Sequence, residues 1–169
     1  PLPGAFLVVP EPRQDERGLF ARTFCRREFQ ARGLAETFVQ CSTSFTARSG
    51  SVRGLHYQLP PAAEVKLVRC TAGAVMDFIV DLRPGSPTYG RHFSAELTAE
   101  NRRALYIPEM FAHGFQTLAD NTEVFYQMTA YFDADRATGV RFDDPRFGIR
   151  LPRPVTVMAD KDRAWPLLA

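Results

Sequence analysis

Lysine is scarce in this sequence, tryptophan occurs once, and histidine and cysteine occur three times each. The cysteines, Cys25, Cys41 and Cys70, are odd in number, unevenly spaced and form no C-x-x-C pair. That excludes a disulfide framework or a zinc site and predicts reduced, structural thiols. No apolar run approaches the roughly 20 residues a bilayer-spanning helix needs, and no signal-peptide pattern is present. No basic run or acidic tail accompanies the net charge of +2, so neither a nucleic-acid footprint nor a polybasic membrane patch is expected. Positive charge is carried mainly by arginine, in line with a compositional bias. A cytoplasmic location follows as the expectation, although the chain starts at Pro1, as it would if a few residues preceded it.

What the chain does have is 45% apolar residues and fourteen phenylalanines, enough for a sizeable core and suited to pleated, half-buried surfaces. One domain over residues 1–169 is expected. A helix is predicted in "CRREFQARGL" (25–34), with Phe29 and Leu34 on one face and Gly33 ending it. From residue 38 onward short apolar segments recur: "FVQCSTSF", "SVRGLHYQ", "VKLVRCTAG", "AVMDFIVDL", "HFSAEL", "RALYIP", "GFQTLA", "EVFYQMTAYF" and "GVRFDD". Pro60-Pro61, Ala72-Gly73, Pro84-Gly85 and Asp120-Asn121 separate several of them. Regular short strands with little intervening helix predict an all-β antiparallel sandwich or barrel.

Alternation places Lys66, Val68 and Cys70 on one face of their strand, and Val124, Tyr126 and Met128 on one face of theirs. The stretch "SVRGLHYQLPPAAEVKLVRC" (51–70) breaks the apolar rule with Arg53, His56 and Lys66. A strict pleat sends Arg53 and His56 to opposite faces, so both reach one cavity only if Gly54 allows a bulge. Burying a lysine is costly unless it is paired or functional, and these side chains on one hairpin suit an anion. The imidazole among them is a candidate general base. Solvated charges on a surface hairpin are the competing reading. His113, between Phe111 and Phe115, is a pocket candidate or a core histidine, and His92 reads as an exposed strand residue. A metal is not expected: Gln58 stands where a second histidine of a His-x-His pair would be, and Lys66 and Arg53 would repel a cation. No G-x-S-x-G elbow supports serine nucleophile chemistry.

The segments "DERGLF", "VRGLHYQ", "KLVRCTAGAVMDFIVDLRPGSPTYG", "ELTAENRRALYIPEMFAHGF", "EVFYQMTAYF", "DDPRFGI" and "ADKD" span nearly the whole chain. In these the sequence resembles the dTDP-4-dehydrorhamnose 3,5-epimerase family. The resemblance implies a cupin-like jelly roll with one or two short helices, without metal or cofactor. It also implies a homodimer in which an N-terminal strand crosses to the partner. His56 is implied as the base beside a C4 ketone, Tyr126 as the acid on the opposite face, Lys66 as stabiliser of the enolate oxygen and Asp162 as the partner of His56. Arg17, Phe20, Gln40, Ser42, Arg53, His113 and Phe132 are the implied substrate contacts on a nucleotide-diphosphate sugar.

The sequence departs from the family pattern at Arg22, at Cys41-Ser42 and at Ala137, which implies another nucleotide carrier or a looser base pocket. Phe132 stands where a second tyrosine is usual, which implies inversion at a single carbon if that hydroxyl serves one of two epimerisations. A 3-epimerase, a sugar ketoisomerase and a non-catalytic nucleotide-sugar-binding cupin are the alternatives.

Overall fold

The computed structural model describes residues 1–168, so residue 169 of the expected domain lies outside the described residues. Strand β1 (Phe6–Val8) is followed by a hairpin of β2 (Arg13–Asp15) and β3 (Gly18–Phe20), then by helix α1 (Arg26–Gln30). Next come β4 (Gln40–Thr46), β5 (Val52–Gln58), β6 (Lys66–Ala72) and β7 (Ala74–Asp81). The chain continues through β8 (His92–Thr98), β9 (Ala104–Ile107), β10 (Phe111–Thr117) and β11 (Thr122–Met128). A short β12 (Ala137–Gly139) and helix α2 (Asp160–Arg163) complete the order.

Two five-stranded antiparallel sheets face each other, ordered β1-β9-β6-β11-β4 and β12-β5-β10-β7-β8. This is the all-β, cupin-like jelly roll that the strand spacing and the resemblance predict. Alternation fills the space between the sheets. Val68, Cys70 and Val124 meet Val75, Ile79, Phe111 and Phe115 in one buried cluster. Each large apolar side chain so buried contributes about 1.5–3 kcal/mol relative to leaving it in water. The outer face of the first sheet is covered by the α1 segment, where Phe29, Leu34 and Phe38 pack on Leu67 and Tyr106. Gly33 ends that segment at φ +67°, with the Leu34 N–H reaching back to the Phe29 carbonyl at 3.0 Å.

Two expectations need correction. "GVRFDD" contributes only Gly139 to a strand. The chain leaves the sheet after Val140 because Arg141 closes on Asp143 and Asp144 accepts the Arg146 N–H, making turns that oppose extension. β10 begins at Phe111 rather than Gly114, so His113 is a strand residue paired with His56 on β5.

Candidate active site

The cleft is made by an irregularity in β5. His56 pairs with His113 and Arg53 with Phe115, so one more residue lies on β5 than on β10 between these pairs. Gly54, at φ +113°, is in that gap, and a Cβ there would meet the Gly114 Cα and the His113 oxygen at 2.7 Å. A Cβ on Gly114 would come within 2.4 Å of the Arg53 oxygen. Two glycines therefore let the backbones touch, and the extra residue brings Arg53 and His56 to one side, as the sequence requires.

Both side chains line a cleft of about 560 Å³ between the sheets. His56 Nε2 lies 2.6 Å from Asp162 Oδ1. Asp162 also accepts the Gly54 N–H at 3.1 Å and the Trp165 indole N–H at 3.4 Å. Burial opposes a charged Asp162, yet the His56, Gly54 and Trp165 bonds outweigh it and hold the carboxyl below its ordinary value. Because that carboxylate can only accept, Nε2 carries the proton, and in a neutral imidazole Nδ1 is then the acceptor.

Tyr126 approaches from β11 in the opposite sheet. Burial pushes its hydroxyl up to about 12, and it is 3.1 Å from the Ser44 hydroxyl on β4. Lys66, on neighbouring β6, is held 3.1 Å from Glu64 and 3.4 Å from the His56 carbonyl. Arg53 is bonded to the Thr46 hydroxyl at 3.0 Å and the Phe45 carbonyl at 3.1 Å, contacts that leave its charge unneutralised. His113, buried, is 2.9 Å from Asp77, and its ring meets Tyr126 edge-on at 6.1 Å. Desolvation raises the Asp77 carboxyl despite the opposing pull of His113 and Lys66.

The structure thus brings His56, Lys66, Tyr126, Asp162, Arg53, His113 and Ser42 to one cleft. It does not bring the other expected residues there within one chain. Gln40 accepts the Phe132 N–H at 2.8 Å, and Phe132 borders a separate depression with Tyr131 and Val39. Arg17 and Phe20 are on the exposed β2–β3 hairpin, where Arg17 pairs with Asp15. His92 is half-buried rather than exposed, with Nδ1 2.5 Å from the Phe147 carbonyl.

Sequence reasoning missed Asp77, Glu64, Ser44, Lys161 and Trp165. Asp77 had a signal, an acid inside the apolar run "AVMDFIVDL". Lys161 had another: it and Lys66 are the only two lysines in the chain, and both line the cleft.

The family model described as dTDP-4-dehydrorhamnose 3,5-epimerase matches residues 1–169. A dTDP-4-dehydrorhamnose 3,5-epimerase of Sinorhizobium fredii is 45% identical over 96% of this chain and 84% of its own. The crystal structure of the Bacillus anthracis enzyme with TDP and pyrophosphate bound superposes with a TM-score of 0.92 at 41% identity, covering 98% of this chain and 94% of that one. A 3'-monoepimerase from Streptomyces bikiniensis, solved with dTDP-quinovose, gives 0.89 at 30% identity over 96% of this chain and 83% of that one. With the whole chain matched and the fold shared, the protein belongs to the dTDP-4-dehydrorhamnose 3,5-epimerase family of isomerases.

Proposed function

We propose that the protein, as a single jelly-roll domain, inverts the carbons flanking the ketone of a dTDP-linked 4-keto-6-deoxyhexose, using side chains alone. The observation that carries this reading is the pairing of His56–Asp162 on one wall with Tyr126 on the other. His56 Nδ1 takes the proton from carbon, and Asp162 stabilises the imidazolium that forms. The bond electrons move onto the ketone oxygen, where the Lys66 ammonium meets the developing charge. Tyr126 then gives its proton to the opposite face of the flat enolate, which inverts the carbon. Arg53 and Lys161 suit the diphosphate.

The dTDP carrier is supported by the names of the relatives. A homodimer belongs to the same proposal. The hairpin bearing Arg17 and Phe20 is exposed and away from its own cleft, as a segment that completes a partner's site would be. The cytoplasm is the proposed location.

Incubation with dTDP-4-keto-6-deoxyglucose, with proton NMR of the product, tests the reading. Inversion at C3 and C5 is expected, and His56→Ala should lower the rate by about 10²–10⁴-fold. Inversion at C3 alone would favour the monoepimerase alternative, which the Streptomyces bikiniensis relative supports. Phe132, which stands where a second tyrosine is usual, borders the neighbouring depression of its own chain rather than the cleft. Tight binding of the dTDP-sugar without turnover would favour a non-catalytic binder.

A further inference from the structure

A cycle that adds a proton to His56 and removes one from Tyr126 leaves each group in the wrong state for the next turnover. His56 resets easily, since its side chain is 38% exposed and solvent reaches it. Tyr126 is more enclosed, and burial, which pushes its hydroxyl up to about 12, disfavours the phenolate it must pass through. A buried phenolate needs a donor beside it, and its proton needs a route back.

Ser44 is placed for both tasks. Its hydroxyl is 3.1 Å from the Tyr126 hydroxyl, and among the described residues no other hydrogen bond of that serine side chain is present. It lines the cleft from β4, the last strand of its sheet among the described residues. A phenol has one proton. To spend it on the sugar, Tyr126 must accept its bond from Ser44 rather than donate to it.

We infer that Ser44 is a positioning residue for Tyr126: it orients the phenol across the cleft, donates to the phenolate after proton transfer, and relays the replacement proton from water. The protons balance. Tyr126 gives one to carbon, Ser44 passes its own to the phenolate while taking one from water, and His56 returns one to solvent.

This inference rests on the acid–base reading above, and the test separates the two. Wild type, Ser44→Ala, Ser44→Cys, Ser44→Thr and His56→Ala would be incubated with dTDP-4-keto-6-deoxyglucose in D₂O. NMR then follows deuterium exchange with retention and inversion as separate rates, and thermal melts check folding. Ser44→Ala should keep exchange, because His56, Asp162 and Lys66 are untouched, and lose inversion roughly tenfold, the cost of one hydrogen bond to a charged group. The exchange-to-inversion ratio therefore rises about tenfold. Ser44→Thr should restore it, and Ser44→Cys, a weaker donor of similar size, should fall between. If Ser44→Ala does not fold, the Ser44→Cys ratio decides. A merely structural serine would lower both rates together, and that unchanged ratio would overturn the inference alone. Exchange surviving in His56→Ala, or wild-type inversion without deuterium at the inverted carbon, would overturn the acid–base reading and the inference with it.

Discussion

In the proposed mechanism Asp162 acts on the substrate through His56, which it bonds at 2.6 Å. Its replacement by asparagine keeps the size of the side chain but lets an amide N–H face the imidazole, favouring the tautomer with its proton on Nδ1. The base is then blocked while the cleft survives. Asp162→Asn should lower kcat by about 10³–10⁴-fold, by analogy with the orienting carboxylate of a catalytic triad, with KM little changed. Steady-state kinetics check this. An equal loss in KM would mean that Asp162 shapes the cleft instead. His56 and Lys66 were legible as candidates because each interrupts an apolar strand with a side chain that strand has no structural use for, whereas Tyr126, a residue that strands favour, was given a role only by the resemblance. Ser44 was not legible: a serine in a strand full of serine and threonine carries no mark, and only the approach of β11 shows what it faces.

At the scale of the element, the site depends on β5 holding one residue too many. The sequence showed the need for a bulge at Gly54 through the parity of Arg53 and His56. It could not show Gly114, which is required only because β10 lies against that bulge. Alanine at Gly54 combines a left-handed φ with backbone contacts at 2.7 Å, so Gly54→Ala should destabilise by about 2–4 kcal/mol and remove activity. A urea melt reads the first effect and the product assay the second.

The end of β7 offers a pH test. Burial alone would raise Asp81, but bonds from Arg83, Ser86 and Thr88 outweigh it and hold the carboxyl well below its ordinary 3.8. Its stabilising contribution is therefore complete above that value and lost as pH falls towards the folded-state value. Asp81→Asn should cost about 2 kcal/mol at neutral pH, since Arg83 is partly solvated, and the gap from wild type should narrow below pH 3.8. Melting curves against pH measure it. A gap that held steady into acid would contradict the assignment.

For the whole molecule, the all-β class built of short antiparallel strands followed from the spacing of apolar segments and turns, whereas the pairing order of the strands is visible only in the fold. The two ends of the chain did not follow from that spacing. α2 carries Asp162 to the cleft from more than a hundred residues beyond His56, a contact that only the resemblance anticipated. The β2–β3 hairpin carries Arg17 and Phe20 away from their own cleft. If it completes a partner's cleft, then mixing inactive Arg17→Ala/Phe20→Ala protein with inactive His56→Ala protein should restore activity, to about one quarter if subunits reassort at random. Two inactive proteins that remain inactive after demonstrated exchange would exclude a shared site.

In the proposed mechanism, proton removal and proton return belong to different walls of one cleft. Tyr126→Phe protein with dTDP-4-keto-6-deoxyglucose in D₂O tests it most directly by NMR. Deuterium should still enter beside the ketone, delivered by His56 with retention, while inversion stops. Loss of both exchange and inversion, or inversion at the wild-type rate, would contradict it.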